Sequence, residues 1–403
     1  MTEVRTAAAV PVTEVPVTEL MPPGLPSCAV VDLDAVAENV AVLRRSAPGA
    51  ALMAVVKADG YGHGMLPVAR AALHAGADWL GVAQFGEALE LRAAGIAAPV
   101  LAWLAVPGDR FAQVVAAGID VGVGASWALA ETVAGAWVAG VPARIHLKVD
   151  TGLGRGGCLP ADLPALVSQA LAHQAEGVVE VVGVFSHLAC SDVPAHPSVA
   201  AQIEVFAEAI ELVERAGARL ELRHLANSAA TLAIPPARFD AVRPGLALYG
   251  LSPLPDVAAS AELGLIPAMS LLGRVASVKD VPAGQGVSYG LTHTTDVETT
   301  LALLPLGYGD GLPRHASGVG PVRLAGRRLH VAGRVCMDQV VLDLGRRGDG
   351  VRPGDVAVLF GTGADGGPTA QDWADAAGTI SYEIVTRLGA RVPRHYVGGK
   401  GQE

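Results

Sequence analysis

The chain has 403 residues, a formal net charge of −10 and 51% hydrophobic residues, largely Ala, Val and Leu. That length accommodates one large domain and a smaller one with ample core, and the acidic balance argues against nucleic acid as a partner. Cys28, Cys158, Cys190 and Cys336 are scattered without CxxC spacing, so no metal site and no disulfide framework is expected. With no targeting segment visible, the chain reads as cytoplasmic, in a reducing compartment.

Residues 1–26 are rich in Pro and Thr, and Val-Pro-Val-Thr-Glu recurs at 10–14 and 15–19. Such a stretch buries little surface and reads as a disordered leader. Val30-Val31-Asp32-Leu33-Asp34 reads as a strand whose aspartate caps a helix running to about Arg45. This strand falls outside the run of repeats that follows and is a candidate to join the later β domain.

Strand-like runs then recur near 51–57, 79–83, 99–103, 119–123, 143–149, 179–187, 222–227 and 240–243, each followed by an amphipathic stretch. Eight such units across 27–255 predict an α/β fold, a (β/α)8 TIM-like barrel. The runner-up is a doubly wound open sheet, which wants a glycine fingerprint opening a helix after its first strand. Gly60-Tyr-Gly-His-Gly does not have that spacing. The most apolar stretch, 121–143, contains Glu131 and several glycines, and reads as strand, helix and loop and not as a membrane span. Over 256–396 the texture changes to short strands separated by Gly and Pro turns, a mainly β C-terminal domain with a helical stretch at 370–390 and a tail at 397–403.

The first barrel run, Leu52 to Val56, ends abruptly in Lys57 and a turn holding Gly60, Gly62 and Gly64. Lysine is rarely buried without a partner or a task. Desolvation lowers its pKa, and the neutral amine is a nucleophile that can form Schiff bases. Active residues of barrel enzymes sit at the C-terminal ends of the strands. Those ends carry Lys57, Lys148 with Arg155 after it, His187, Asn227-Ser228 and Arg243-Pro244-Gly245. Phosphate sites commonly form after the last two strands, where Ser228, Gly245 and Leu246 offer a hydroxyl and backbone N–H groups.

The order of motifs is more specific than any one of them. Val-Lys57-Ala-Asp-Gly-Tyr-Gly-His-Gly, Lys148-Val-Asp-Thr-Gly-Leu-Gly-Arg155, Asn227-Ser-Ala-Ala and Arg243-Pro-Gly-Leu-Ala-Leu-Tyr-Gly are followed by Ser288-Tyr-Gly, Gly307-Tyr-Gly-Asp-Gly, Arg334-Val-Cys-Met-Asp-Gln and Ser381-Tyr-Glu. Together they resemble the alanine racemases, fold-type III enzymes that use pyridoxal phosphate (PLP), over about residues 28–395. Asp59-Gly60 departs from the family's commoner Asn-Ala, and Leu188 from its frequent Phe.

The resemblance implies that Lys57 holds PLP as a Schiff base. Tyr61, Asn227, Ser228, Gly245, Leu246 and Tyr382 bind the cofactor, chiefly its phosphate, and His187 lies against its ring. Arg243 faces the pyridine nitrogen. A guanidinium is donor-only, so that nitrogen must stay unprotonated, a weaker electron sink that favours reprotonation over transamination. Racemisation needs a base on each face of a planar carbon. The resemblance assigns Lys57 to the D-alanine face and Tyr289 to the L-alanine face. Arg155 and Met337 bind substrate with Asp338 in support, and Arg155 favours the phenolate of Tyr289. Lys148 and Arg155 would repel each other, and carbamylation of Lys148 turns that repulsion into a charge-assisted hydrogen bond. The alternative is an unmodified Lys148 paired with Asp150.

The implied activity is interconversion of L- and D-alanine in a homodimer with shared sites, supplying D-alanine for peptidoglycan. Still open at this level are a broader-specificity or serine racemase, a PLP-dependent decarboxylase and a non-catalytic PLP-holding protein. Intact Ser288-Tyr289 and 334–339 motifs weigh against the last, and the absence of a Cys-Asp carboxylate-binding motif against the decarboxylase.

Overall fold

A computed structural model describes residues 16–346 and 348–399. Its first strand, β1 (Ser27–Asp32), is almost wholly buried, and Asp32 Oδ1 accepts the backbone N–H groups of Asp34 at 2.9 Å and Ala35 at 3.2 Å. That cap starts α1 (Leu33–Ser46), whose apolar face carries Val36, Val40 and Leu43 at helical spacing.

Eight short, Val- and Leu-rich strands follow: β2 (Ala51–Val55), β3 (Trp79–Gln84), β4 (Val100–Leu104), β5 (Asp120–Val123), β6 (Ala143–Lys148), β7 (Val179–Phe185), β8 (Leu222–His224) and β9 (Ala241–Val242). Each pairs parallel with the next, and β9 returns to β2 through Ala51–Ala241 and Leu52–Val242, closing the barrel. The expected (β/α)8 architecture holds. The last two strands are shorter than their apolar runs suggest.

The rest of the chain builds the C-terminal β domain from β10 (Met269–Arg274), β11 (Ser277–Val281), β12 (Gly286–Val287), β13 (His293–Thr294), β14 (Thr299–Leu304), β15 (Pro321–Leu324), β16 (Arg327–His330), β17 (Val340–Asp343), β18 (Val356–Phe360) and β19 (Arg394–Val397). Its main sheet runs β16-β15-β18-β10-β1-β19. The first strand of the chain is therefore internal to it, antiparallel to β10 and parallel to β19. The two units are stitched by Asn39, a fully buried residue of α1. Its amide donates to the carbonyls of Leu248 and Ile266 and accepts the Ile266 N–H at 2.8 Å. All four cysteines are free thiols. Among the described residues no helix is long and apolar enough to cross a membrane.

The leader expected to be disordered over 1–26 needs correction where it can be seen; residues 1–15 lie outside the described residues. Val17–Leu20 form a 3-10 turn, and Met21 is buried with Cys28, Val30, Leu272 and Val358. The Arg274 guanidinium donates to the carbonyls of Met21, Pro22 and Leu25. A Pro-rich segment has few backbone N–H groups to satisfy, so a single donor-rich side chain suffices to pin its carbonyls.

Candidate active site

The site begins with a backbone conformation. After Lys57 the chain makes one turn of left-handed helix, with φ of +53° at Ala58, +52° at Asp59, +58° at Gly60 and +53° at Tyr61. Left-handed helix costs roughly 1–2 kcal/mol for each residue bearing a Cβ, so other contacts must hold it. The Ala58 N–H donates to Glu87 Oε1 at 2.6 Å, and Met65 N–H to Asp59 Oδ1 at 2.9 Å. A Cβ on Gly62 would lie 2.3 Å from the Val385 carbonyl oxygen, so the β domain abuts this turn directly. The turn ends β2 with Lys57 on the barrel rim and sends the Tyr61 ring beneath it, stacked 4.8 Å from Tyr249.

Above this turn is a cavity of ≈ 510 Å³, within the range that takes a cofactor-sized ligand. Lys57, Lys148, Arg155 and Arg243 all line it, and among the described residues no Asp or Glu does. Lys148 Nζ and Arg243 Cζ share the Phe185 ring, at 5.9 and 5.5 Å from its centroid. Burial, then Arg155, holds the Lys57 ammonium below its usual range, against a weaker upward pull from Glu87. Lys148 is lowered in the same way, by burial first and by Arg155 and Arg243 next. Burial and the same four cations push His187 down to about 3, so its ring is neutral at physiological pH.

The far wall belongs to the last two strands. Ser228 Oγ accepts the N–H groups of Gly245 at 2.8 Å and Ala247 at 3.2 Å, which leaves its O–H free to donate. A Cβ on Gly245 would lie 2.2 Å from Tyr61 Oη, so only glycine admits that phenol. Leu246 and Asn227 complete this wall. The Asn227 side chain also caps the short helix Ser228–Ala233 through Ala230 N–H and donates to Ser191 Oγ at 2.7 Å. Tyr382 reaches the cavity from the β domain, its hydroxyl pushed up to about 12 by burial and Asp192.

Arg243 is fully committed on one side. Its Nη1 donates to His224 Nδ1 at 3.0 Å and His224 O at 2.8 Å, and its Nη2 to Ser186 O at 2.7 Å. Burial draws it down to about 10, which leaves it a cation at neutral pH.

Asp150, the expected partner of an unmodified Lys148, is otherwise engaged. Its carboxylate accepts four successive backbone N–H groups, from Gly152, Leu153, Gly154 and Arg155, at 2.9–3.1 Å. Among the described residues no carboxylate lies within ion-pair distance of Lys148.

Lys57, Tyr61, Lys148, Arg155, His187, Asn227, Ser228, Arg243, Gly245, Leu246 and Tyr382 thus meet in one cavity. Tyr289, Met337 and Asp338 do not line it. Tyr289 is 71% exposed and Met337 53% exposed, on the surface of the β domain. Their loops are nonetheless held firmly. Ser288 has φ of +62° and donates its hydroxyl to the Arg334 carbonyl, and Asp338 accepts from Arg391 Nη1 at 2.7 Å. Sequence reasoning missed Trp103 and Phe185 on the cavity wall, and Glu87 beneath it. An apolar strand residue carries no mark of which side of a barrel it faces, and Glu87 resembles an ordinary residue of a helix's first turn.

A family profile described as "Alanine racemase, N-terminal domain" matches residues 31–253, and one described as "Alanine racemase, C-terminal domain" matches 268–396. An alanine racemase of Salinispora arenicola is 59% identical over 369 residues, 91% of this chain and 97% of that protein. One of Frankia casuarinae is 57% identical over 373 residues, 93% of this chain and 97% of that protein. The crystal structure of alanine racemase from D-cycloserine-producing Streptomyces lavendulae superposes with a TM-score of 0.92 at 54% identity, covering 94% of this chain and 98% of that one.

The turn also carries a pH-dependent strain. His63 is fully buried, 4.5 Å from the Tyr249 ring, and bonds through Nδ1 to the Tyr61 carbonyl, while Nε2 has no hydrogen-bond partner among the described residues. Burial pulls it down to about 4 from the 6.5 of a free imidazole. The unfolded chain therefore takes up this proton first. The stability tied to neutral His63 is complete above pH 6.5 and is lost as pH falls toward 4, at up to about 1.4 kcal/mol per pH unit. Urea unfolding at pH 6.5, 5.5 and 4.5 should show that slope in the wild type and a shallower one in His63→Phe.

Proposed function

The chain belongs to the alanine racemase family and racemises alanine; we propose that it does so with PLP held at Lys57, in a homodimer whose partners complete each other's sites. The observation that carries the cofactor reading is the charge of the cavity wall: four cations and no carboxylate. Such a wall fits a ligand that brings both a phosphate and a carboxylate. Ser228, Tyr61, Tyr382 and the N–H groups around Gly245 and Leu246 suit the phosphate. Lys57, held below its usual range, suits attachment to an aldehyde. Bound PLP would draw electrons from the substrate Cα and so acidify its C–H bond.

The residues then divide the work. Arg155 holds the substrate carboxylate, helped by Met337. Once free of the cofactor, Lys57 takes or returns a proton on one face of Cα. Tyr289 of the partner subunit serves the other face, with the positive charge of Arg155 favouring its phenolate. Neutral His187 supports the ring without adding charge. Arg243, as a donor-only group, keeps the ring nitrogen unprotonated. Purified protein should absorb in the visible and convert L-alanine to a racemic mixture in a chiral assay. Lys57→Ala should lose the absorbance and racemisation together; borohydride reduction and mass mapping that labelled a different lysine would sink the assignment.

Lys148 carries a carbamate in this reading. Its neutral amine, favoured by burial and Arg155, adds to carbon dioxide and releases one proton, and the resulting anion bonds Arg155. The engagement of Asp150 elsewhere supports this over a plain ion pair. Lys148→Ala should lose activity and regain part of it with added acetate. No rescue, together with an unmodified lysine in the wild type by intact mass, would refute the carbamate.

The shared site rests on the placement of Tyr289 and Met337, exposed and off the cavity wall of their own chain. A two-fold contact is self-complementary, so one interface closes both sites. Lys57→Ala and Tyr289→Ala should each be nearly inactive. Mixed after unfolding and refolding, they should recover activity approaching a quarter of wild type, since random pairing gives about half heterodimers, each with one intact site. If heterodimers form and the mixture stays inactive, Tyr289 works within its own chain.

A further inference from the structure

We propose that Asp120, His146 and His224 are positioning residues for this reaction: they form a one-way hydrogen-bond chain through the barrel core that locks Arg243 and leaves its Nε–H as the donor available on the cavity wall. The proposal rests on the cofactor reading above and adds residues outside the cavity, on the interior side of β5, β6 and β8.

The direction of the chain follows from its two ends. Arg243 is donor-only, so His224 Nδ1, 3.0 Å from its Nη1, must present a lone pair. Burial and Arg243 hold His224 well below the usual imidazole range, so it is neutral and carries its proton on Nε2. That N–H faces His146 Nδ1 at 2.9 Å, which must then accept. The His146 proton sits on Nε2, 3.1 Å from Asp120 Oδ2. An ionised carboxylate only accepts, so the far end demands the same tautomers as the near end. Each gap in the chain holds one proton.

The surroundings hold this arrangement in place. Asp120 is buried, yet its other oxygen accepts from Arg144 Nε at 3.1 Å, and Arg144 continues to Glu221 at 2.8 Å on the exposed barrel floor. The His224 ring lies parallel to Phe185, 5.0 Å away and 1° from coplanar orientation. His146 has room only because position 183 lacks a side chain: a Cβ there would lie 2.1 Å from its Nδ1. Gly183 has no positive φ, so the glycine answers this steric need and not a backbone one.

The consequence lies at Arg243. Both Nη groups are taken by His224 and by main-chain carbonyls, and Nε has no acceptor among the described residues. The Asp120 charge polarises the two imidazoles and strengthens the acceptor at His224 Nδ1. Arg243 cannot rotate away without breaking that bond, and a doubly protonated histidine in the chain would set one N–H against another. The chain thereby fixes both the orientation and the cationic state of the group that controls the cofactor ring nitrogen.

The test has a part independent of turnover. Nitrogen-15 spectra of histidine-labelled full-length protein, with and without PLP, should show His146 and His224 neutral and protonated on Nε2 from pH 6 to 8. Either ring protonated on Nδ1 overturns the chain. The second part uses Asp120→Asn, His146→Phe and Gly183→Ala, each checked for native circular dichroism and thermal unfolding. With the ring nitrogen less controlled, folded variants should lose about tenfold to hundredfold in kcat, the size expected for one charge-assisted hydrogen bond. KM for alanine should stay within about twofold, and pyruvate formed per D-alanine should rise. His146→Gln, whose amide accepts at one end and donates at the other, should recover part of the loss. Folded variants with wild-type kcat and pyruvate yield overturn the positioning role. A wild type that binds no PLP overturns the cofactor reading as well, and the spectra of the unloaded protein separate that failure from a failure of the chain.

Discussion

Four positive groups on one cavity wall, with no carboxylate among them, is the constraint from which the rest of the molecule follows. Like charges in a partly desolvated space raise one another's free energy. The response is visible in each side chain. Lys57 and Lys148 are drawn toward neutrality, His187 is kept neutral, and Arg243, which must stay charged, is given acceptors on both Nη groups. The same crowding favours an anionic ligand there.

Holding the crowd in place requires both domains. The left-handed turn after Lys57 is unfavourable by itself, and the barrel supplies only part of its support, through Glu87 and the stacked Tyr249. The β domain supplies the remainder. Arg394 donates through Nε to the Gly62 carbonyl, while its Nη groups gather the carbonyls of Leu388, Gly389 and Val392. Gly64 sits so close to Tyr396 that a Cβ would lie 1.9 Å from the phenol oxygen. This explains why β1 and β19, from opposite ends of the chain, lie side by side in one sheet. The sheet that joins β1 to β19 also buttresses the turn that follows the lysine.

Much of this was legible in the sequence. Eight apolar runs ending in polar residues mark a barrel and its working rim, because strand ends are where a buried element first meets solvent. Lys57, Arg155, Ser228 and Arg243 could be placed on that rim from order alone. Other features could not. The bond between β1 and β19 is non-local and leaves no periodic trace. The left-handed turn hides behind residues such as Ala58 and Asp59 that rarely adopt it, and only Gly60 hints at it. His146 and His224 lie inside strand runs, where a lone histidine most often reads as structural. Their meaning depends on a contact across the barrel that spacing along the chain does not encode.

The two domains then carry separable duties. The barrel interior holds charge in place: rigid strands fix Arg243 through its bonds to His224 and the Ser186 carbonyl. The β domain carries Tyr289 on a strained loop, stiff in backbone yet open to solvent. A phenol in water is a weak base with no fixed direction. It becomes useful only when another surface supplies a cation and excludes water, and Arg155 with the exposed Leu104 and Val106 at the mouth of the barrel offers such a surface. The cavity therefore draws on one folded chain, whereas the exposed Tyr289 loop takes no part in its lining.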